Sequence, residues 1–234
     1  MTQESFKQNM RDLMGTRSFW YLCFSLTGLF FVVTGIQYWL PTYLLTVYKL
    51  DEGDAAVFYG TTSISAPISG VIIGGIITTA FGGYNTRAAQ KLQCFFGGLA
   101  VLCAIPIPFI SSFEMFGVLI WLLLFFGGSI LPPVTGIMLN TVQESKRTSA
   151  NSIANLCYNL LGYLPAPSFY GMVSSIVDRP ESTIPMGFLL YSTLFSISFL
   201  FYGIHLKWQG EESGNQLGET GSSQIRKMVV NDSK

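Results

Sequence analysis

The sequence predicts an all-α membrane protein, a bundle of six transmembrane helices. Composition, long uncharged runs and the sidedness of positive charge predict it. Half of the 234 residues are hydrophobic, only 11% are charged, and mean hydropathy is +0.45. Soluble domains carry about 25% charged residues. The charges cluster, leaving Ser18–Tyr48, Ala55–Thr86, Gln93–Phe113, Met115–Gln143, Thr148–Val177 and Ser182–Leu206 free of them. Each run has at least the roughly 20 residues needed to cross about 30 Å of hydrocarbon. Lipid offers backbone no hydrogen bonds, so each run is expected to be helical. Barrel strands would be about 10 residues long and alternate in polarity.

The expected helices are 18–45, 55–80, 89–111, 114–141, 148–176 and 183–207. One side then receives Lys7, Arg11, Arg17, Arg87, Lys91, Lys146, Arg147, Lys207, Arg226, Lys227 and Lys234, and the other only Lys49 and Arg179. Lys and Arg concentrate on the cytoplasmic side. Both termini are therefore expected to be cytoplasmic, which requires an even number of spans, and six satisfies it. The opposite loops are short and acidic, with Asp51, Glu52 and Asp54 in one and Asp178 and Glu181 in another.

Residues 1–17 form a polar cytoplasmic segment without the apolar core of a signal peptide. Residues 18–207 form the transmembrane domain. Residues 208–234, rich in Gly, Ser, Glu and Gln, are expected to be a disordered cytoplasmic tail. Cys23, Cys94, Cys103 and Cys157 are dispersed through the apolar runs as packing residues, with no metal or disulfide framework.

Several small or kinking residues fall inside the spans. Ala66, Gly70 and Gly74 share one helix face. Such a stripe brings helices close together or forms a sliding surface. Gly127, Gly128, Pro132 and Pro133 predict a kink near Leu131, and Pro165 and Pro167 do the same late in the fifth span. Bent helices at mid-membrane occur where carriers bind substrate and also in ordinary bundle curvature.

No Asp, Glu, Lys or Arg lies deep in any span. That argues against a buried proton relay or voltage sensor. His205, the only histidine, lies at a helix end. The interior polar groups are neutral. Asn151, Asn155 and Asn159 form a stripe on the fifth span beside Tyr158, and Thr34, Gln37 and Tyr38 cluster on the first. Asn140 ends the fourth span. An amide in hydrocarbon needs a partner. These residues therefore either bond between helices or line a water-filled substrate cavity. HExxH, Walker and G-x-S-x-G patterns are missing, so an enzyme is not expected. The outer loops are too short to hold a channel's pore loop. Zero net charge gives no reason to expect nucleic acid as a partner.

The second span ends Gly75-Ile-Ile-Thr-Thr-Ala-Phe-Gly82-Gly83-Tyr84, with Arg87 beyond it. This resembles the G-x-x-x-D-R-x-G-R-R signature of the major facilitator superfamily. Gly75 and Gly82 keep the spacing and imply a tight cytoplasmic turn that takes part in gating. Thr79 stands at the acidic position and Ala80 at the arginine, so the usual charge relay cannot operate there. Gly35-Ile-Gln-Tyr-Trp39-Leu-Pro41, Gly127-Gly128 through Pro132-Pro133 to Gly136, Lys146-Arg147 with Ala150-Asn151-Ser152-Ile153, and Leu161 through Pro167 to Tyr170-Gly171 look like spinster-like members. The last segment also resembles organic-anion carriers of the same superfamily.

The resemblance implies the C-terminal half of a major facilitator fold. It implies a secondary carrier working by alternating access, without cofactor, on a small organic or lipid-like solute. Spinster relatives in animals move lysophospholipids and sphingoid phosphates. A whole carrier has about twelve helices. The expected partners are therefore membrane lipid, the substrate, and a missing N-terminal six-helix half in cis or in trans. A fragment of a longer chain is the favoured reading of that gap. The competing function is a non-transporting half-carrier acting as a regulator or scaffold. Plasma and endolysosomal membranes fit the charge pattern equally.

Overall fold

The computed structural model describes residues 11, 13–178 and 182–232, with side chains as far as residue 213. The described residues are helices and turns, with no strand among them. Helix α1 is Arg17–Thr46, α2 Glu52–Ala80, α3 Arg87–Ala104, α4 Phe113–Leu139, α5 Arg147–Tyr158, α6 Pro165–Val177 and α7 Ile184–Asp232. Six spans among the described residues are long and apolar enough to cross a membrane. The fifth joins α5 to α6, and the sixth is Ile184–Ser213 within α7. The expected helices match these spans closely. Most of the segment 1–17, and the side chains of the tail over 208–234 beyond residue 213, lie outside the described residues.

Two spans depart from simple rods. Helix α3 stops at Ala104 because Pro106 and Pro108 lack backbone donors, and a short 3-10 turn, Ile107–Phe109, completes the span. In the fifth span a π turn, Asn159–Tyr163, separates α5 from α6, and Pro165 begins α6. Helix α4, in contrast, runs through Pro132 and Pro133 without interruption.

Helix α1 is central. It packs on α7, on α4, on α2 and on the fifth span, while α2 packs chiefly on α4. Its buried side chains serve both ends of the bundle. Ile36, Leu40, Tyr43 and Leu44 join Phe116, Leu189 and Leu190 toward one end. Phe19, Leu22 and Leu26 join Ile130, Ile137 and Leu200 toward the other.

The α2–α4 contact depends on small residues. Every buried residue of α2 is small: Ala55, Thr62, Ala66, Gly70, Gly74 and Thr78. Spacing of four or seven keeps them on one helix face. A Cβ built on Gly70 would stand 2.1 Å from the Phe125 carbonyl oxygen, and one on Gly128 2.6 Å from that of Pro67. The stripe expected from the sequence is thus a backbone-to-backbone seam within the bundle. The opposite face of α2 exposes Ile64, Ile68, Ile72 and Ile76. Lipid tails are as apolar as these side chains, so close packing rather than hydrophobicity drives such an association.

Candidate substrate face and the family it belongs to

The fifth span is the least buried of the six, at 17% of its most apolar window, and α2 follows at 22%. Asn151 and Asn155 of α5 and Asn159, the first residue of the π turn, lie along one face of the fifth span. The Asn155 side chain donates to the Asn151 carbonyl at 2.9 Å, and Asn159 donates to the Asn155 carbonyl at 2.8 Å. These donors therefore turn back onto their own helix and do not reach across to a neighbour. Asn151 and Asn155 are half-buried, and Asn159 is exposed. Tyr158 points elsewhere. It is buried, with its ring stacked on Phe30 at 4.6 Å and 6°.

On α1, Gln37 and Tyr38 are exposed, Tyr38 to 62%, whereas Thr34 is buried. Their depth follows from the contacts between the two spans. Phe30 is level with Tyr158, and Trp39 with Tyr170, on which it stacks at 4.6 Å. At 1.5 Å per residue, Gln37 stands roughly 10–15 Å farther along the bundle than Asn155 and Asn159. The two polar groups thus occupy neighbouring spans at different depths and do not form one ring.

The break in the fifth span has an anchor. Pro165 and Pro167 supply no N–H, so the carbonyls one turn earlier, Leu161 and Tyr163, lose their helical donors. The Leu164 N–H reaches back to the Asn159 carbonyl at 3.0 Å across the π turn. The Trp39 indole N–H donates to the Pro167 carbonyl at 2.9 Å. Gly162 lets the turn approach α1, where an added Cβ would stand 2.5 Å from the Thr27 carbonyl oxygen.

The α2–α3 turn is built by its glycines. Gly82 has φ +89 and Gly83 φ +76. Gly82 N–H bonds to the Thr79 carbonyl and Gly83 N–H to that of Thr78, each at 3.0 Å, which is a Schellman helix end. Gly75 lies in open space inside α2 and makes no close contact. The hydroxyls of Thr78 and Thr79 bond within α2, and Gln93 of α3 donates to Thr78 Oγ1 at 2.9 Å. A neutral pair thus joins α2 to α3 beside the position where the superfamily signature carries charge. We expect Gly82→Ala to lower stability by about 1–2 kcal/mol, the cost of a left-handed conformation for a residue with a Cβ. Thermal unfolding of the purified chain measures it, and an unchanged midpoint would contradict the turn geometry.

Sequence reading missed a second set of groups at this end. Gln90, fully buried, donates to the Tyr84 carbonyl and accepts from the Trp208 indole. Arg87 pairs with Glu212 at 2.9 Å and lies over the Trp208 ring. Asn140 donates to Asn85 at 2.7 Å. Two glutamines on either side of Lys91 at the start of the third span were the available signal, but partners more than a hundred residues away were not.

The family model for the Major Facilitator Superfamily matches residues 2–167. The chain belongs to that superfamily. Within it, the chain is 28% identical over 208 residues to protein spinster homolog 1 of Xenopus laevis, covering 81% of this chain and 38% of the relative. It is 25% identical over 169 residues to a probable sphingolipid transporter, spinster homolog 2, of Arabidopsis thaliana, covering 69% and 33%. The fold matches a bacterial homologue of the human lysosomal transporter Spinster, in its inward-facing unoccupied form, with TM-score 0.63 at 16% identity. That match covers 85% of this chain and 48% of the homologue. The occupied form gives 0.60, with coverage of 86% and 50%. The chain thus spans less than half the length of the curated relatives it matches. It is a multi-pass membrane protein of a superfamily of transporters, not enzymes, and its kinship is with spinster-like members.

Proposed function

We propose that this chain is the C-terminal half of a spinster-like secondary carrier that moves a lipid-like or other small organic solute by alternating access. Both termini face the cytoplasm, in keeping with eleven Lys and Arg on that side against two on the other. A first six-helix half, in cis or in trans, covers the α1–α5 face. The observation that carries this reading is the exposed neutral polar set, Gln37, Tyr38 and Asn159, with Asn155 half-buried beside it, inside otherwise apolar spans. Asn155 and Asn159 each satisfy one amide N–H on their own helix, and the rest of each amide, facing hydrocarbon, would carry a share of the roughly 2–7 kcal/mol that an uncompensated polar group costs. A water-filled cavity between two halves removes most of that cost. Neutral side chains suit the polar part of an amphiphile, and the aromatic residues near them, Trp39 and Phe30, suit its apolar part. The sphingolipid named for the Arabidopsis relative is a ligand of that kind. The break at Asn159–Tyr163 beside Pro165 is a natural place for the fifth span to bend as the cavity changes its opening.

Cysteine accessibility tests the reading. In a background with the four native cysteines replaced, Asn155→Cys and Gln37→Cys are expected to react with a membrane-impermeant thiol reagent. Substrate candidates should slow the reaction. If neither position is labelled from either side in any condition, the cavity assignment is wrong.

A further inference from the structure

A second concavity lies away from the polar face, between α3 and α7. It has a volume of about 680 Å³ and shares no lining residue with the α1–α5 face. Its position is the end of the bundle that holds the α2–α3 turn. Its walls are graded. Cys94, Phe201 and Tyr202 line the part nearer mid-membrane, and Lys91, His205 and Trp208 line the part at the helix ends. Phe201 and Tyr202 are each 48% exposed, so the lower wall opens sideways to whatever surrounds the bundle.

Among the described residues, charge pairing leaves one cation of the groove without a carboxylate. Arg87 is paired with Glu212, and Lys207 with Glu211 at 3.6 Å. Lys91 is exposed on α3 and has no carboxylate partner among the described residues. His205 is exposed and hydrogen-bonds Gln209 through a ring nitrogen at 3.1 Å. The Trp208 N–H is committed to Gln90, which fixes the indole as a wall beside the lysine. Tryptophan and tyrosine at helix ends sit at the level of lipid headgroups. A sideways-opening groove at that depth meets lipid. Its apolar floor accepts an acyl chain, and its single free ammonium selects a headgroup of opposite charge.

We infer that the α3–α7 groove is a binding site for an anionic phospholipid of the surrounding leaflet, with the phosphate on Lys91 and the chain along Phe201 and Tyr202. This goes beyond the transport reading. The site is on the outside of the bundle, and its occupant is a resident lipid rather than the solute carried.

The full chain, reconstituted in phosphatidylcholine vesicles doped with dibrominated phosphatidylglycerol or dibrominated phosphatidylcholine, tests it. Bromine quenches tryptophan at short range, and the difference between the wild type and Trp208→Phe isolates the Trp208 signal. The anionic lipid is expected to quench Trp208 with about five-fold preference, matching about 1 kcal/mol for one lysine near an anionic lipid. Lys91→Gln should bring that preference close to one, and His205→Gln should reduce it partly. Lys146→Gln, on the same side but outside the groove, should leave it intact. Equal quenching by the two lipids, no quenching by either, or an equal loss in Lys146→Gln would overturn the proposal. Reversal of the quenching by inorganic phosphate would also overturn it, by marking an anion site in place of a lipid site.

Discussion

Gly70→Ala is expected to destabilise the bundle by about 3 kcal/mol or more, although it adds one methyl group to a helix. In an open helix that change is favourable by up to about 1 kcal/mol, because glycine has more freedom to lose. Here the new Cβ would stand 2.1 Å from the Phe125 carbonyl oxygen, and the nearest atoms are backbone that cannot rotate away. Separating α2 from α4 is the only relief, and it opens the seam along Ala66, Gly70 and Gly74. Overpacking typically costs 1–3 kcal/mol, more where backbone must move. Gly128→Ala strikes the same seam from the α4 side, 2.6 Å from the Pro67 carbonyl oxygen.

The internal control is Gly75→Ala, five residues along the same helix, where an added Cβ meets nothing within 4 Å. Thermal unfolding of the purified chain should show a large loss for Gly70→Ala and Gly128→Ala, and none for Gly75→Ala. Equal midpoints across the three would refute the seam. The control has a second use. Gly75, a gating candidate by the superfamily resemblance, and Gly127, a kink candidate, are both free of close contacts. If either takes part in gating, its alanine variant will keep its stability and lose flux in the assembled carrier.

What the sequence disclosed and what it withheld follow from the range of the physics. The six spans were legible because each is a local excess of apolar residues, readable without knowing any neighbour. The Ala66–Gly70–Gly74 stripe was legible as a face because helix periodicity is local too. Its partner was not, since nothing in α2 specifies Phe125 or Pro67. The π turn at Asn159–Tyr163 was hidden for another reason. Asn-Leu-Leu-Gly-Tyr is composed like any span, and the extra residue per turn changes hydrogen bonding rather than hydropathy. The two prolines marked a bend but gave neither its form nor its anchor. In α4 the two prolines lie inside a helix that runs unbroken to Leu139, without the change of hydrogen bonding that marks the fifth span. Among the candidate cavity residues, type was legible and orientation was not. Asn155 and Tyr158 lie three apart, yet one is partly open on the α5 face and the other is stacked beneath Phe30.

Trp39 offers the sharpest test of how the broken fifth span is held. The indole contributes two separable interactions: a face stacked on Tyr170 at 4.6 Å, and an N–H donated to the Pro167 carbonyl at 2.9 Å. Trp39→Ala removes both and leaves a void against Gly171, whose Cβ would lie 3.4 Å from the indole. Large aromatic-to-alanine changes cost about 3–5 kcal/mol. Trp39→Phe keeps a ring on Tyr170 and removes only the donor, which in membrane helices costs about 1 kcal/mol. The expected order of thermal midpoints is therefore wild type, then Phe, then Ala well below. The Asn155→Cys labelling rate supplies a second readout. If the α1 anchor fixes the break, Trp39→Ala should change that rate by freeing α6, while Trp39→Phe changes it little. A Phe variant as damaged as Ala would show that the single hydrogen bond, not the stack, holds the span. Two variants as stable as the wild type would mean that the fifth span docks without Trp39, and that the bend is set by Pro165 and Gly162 alone.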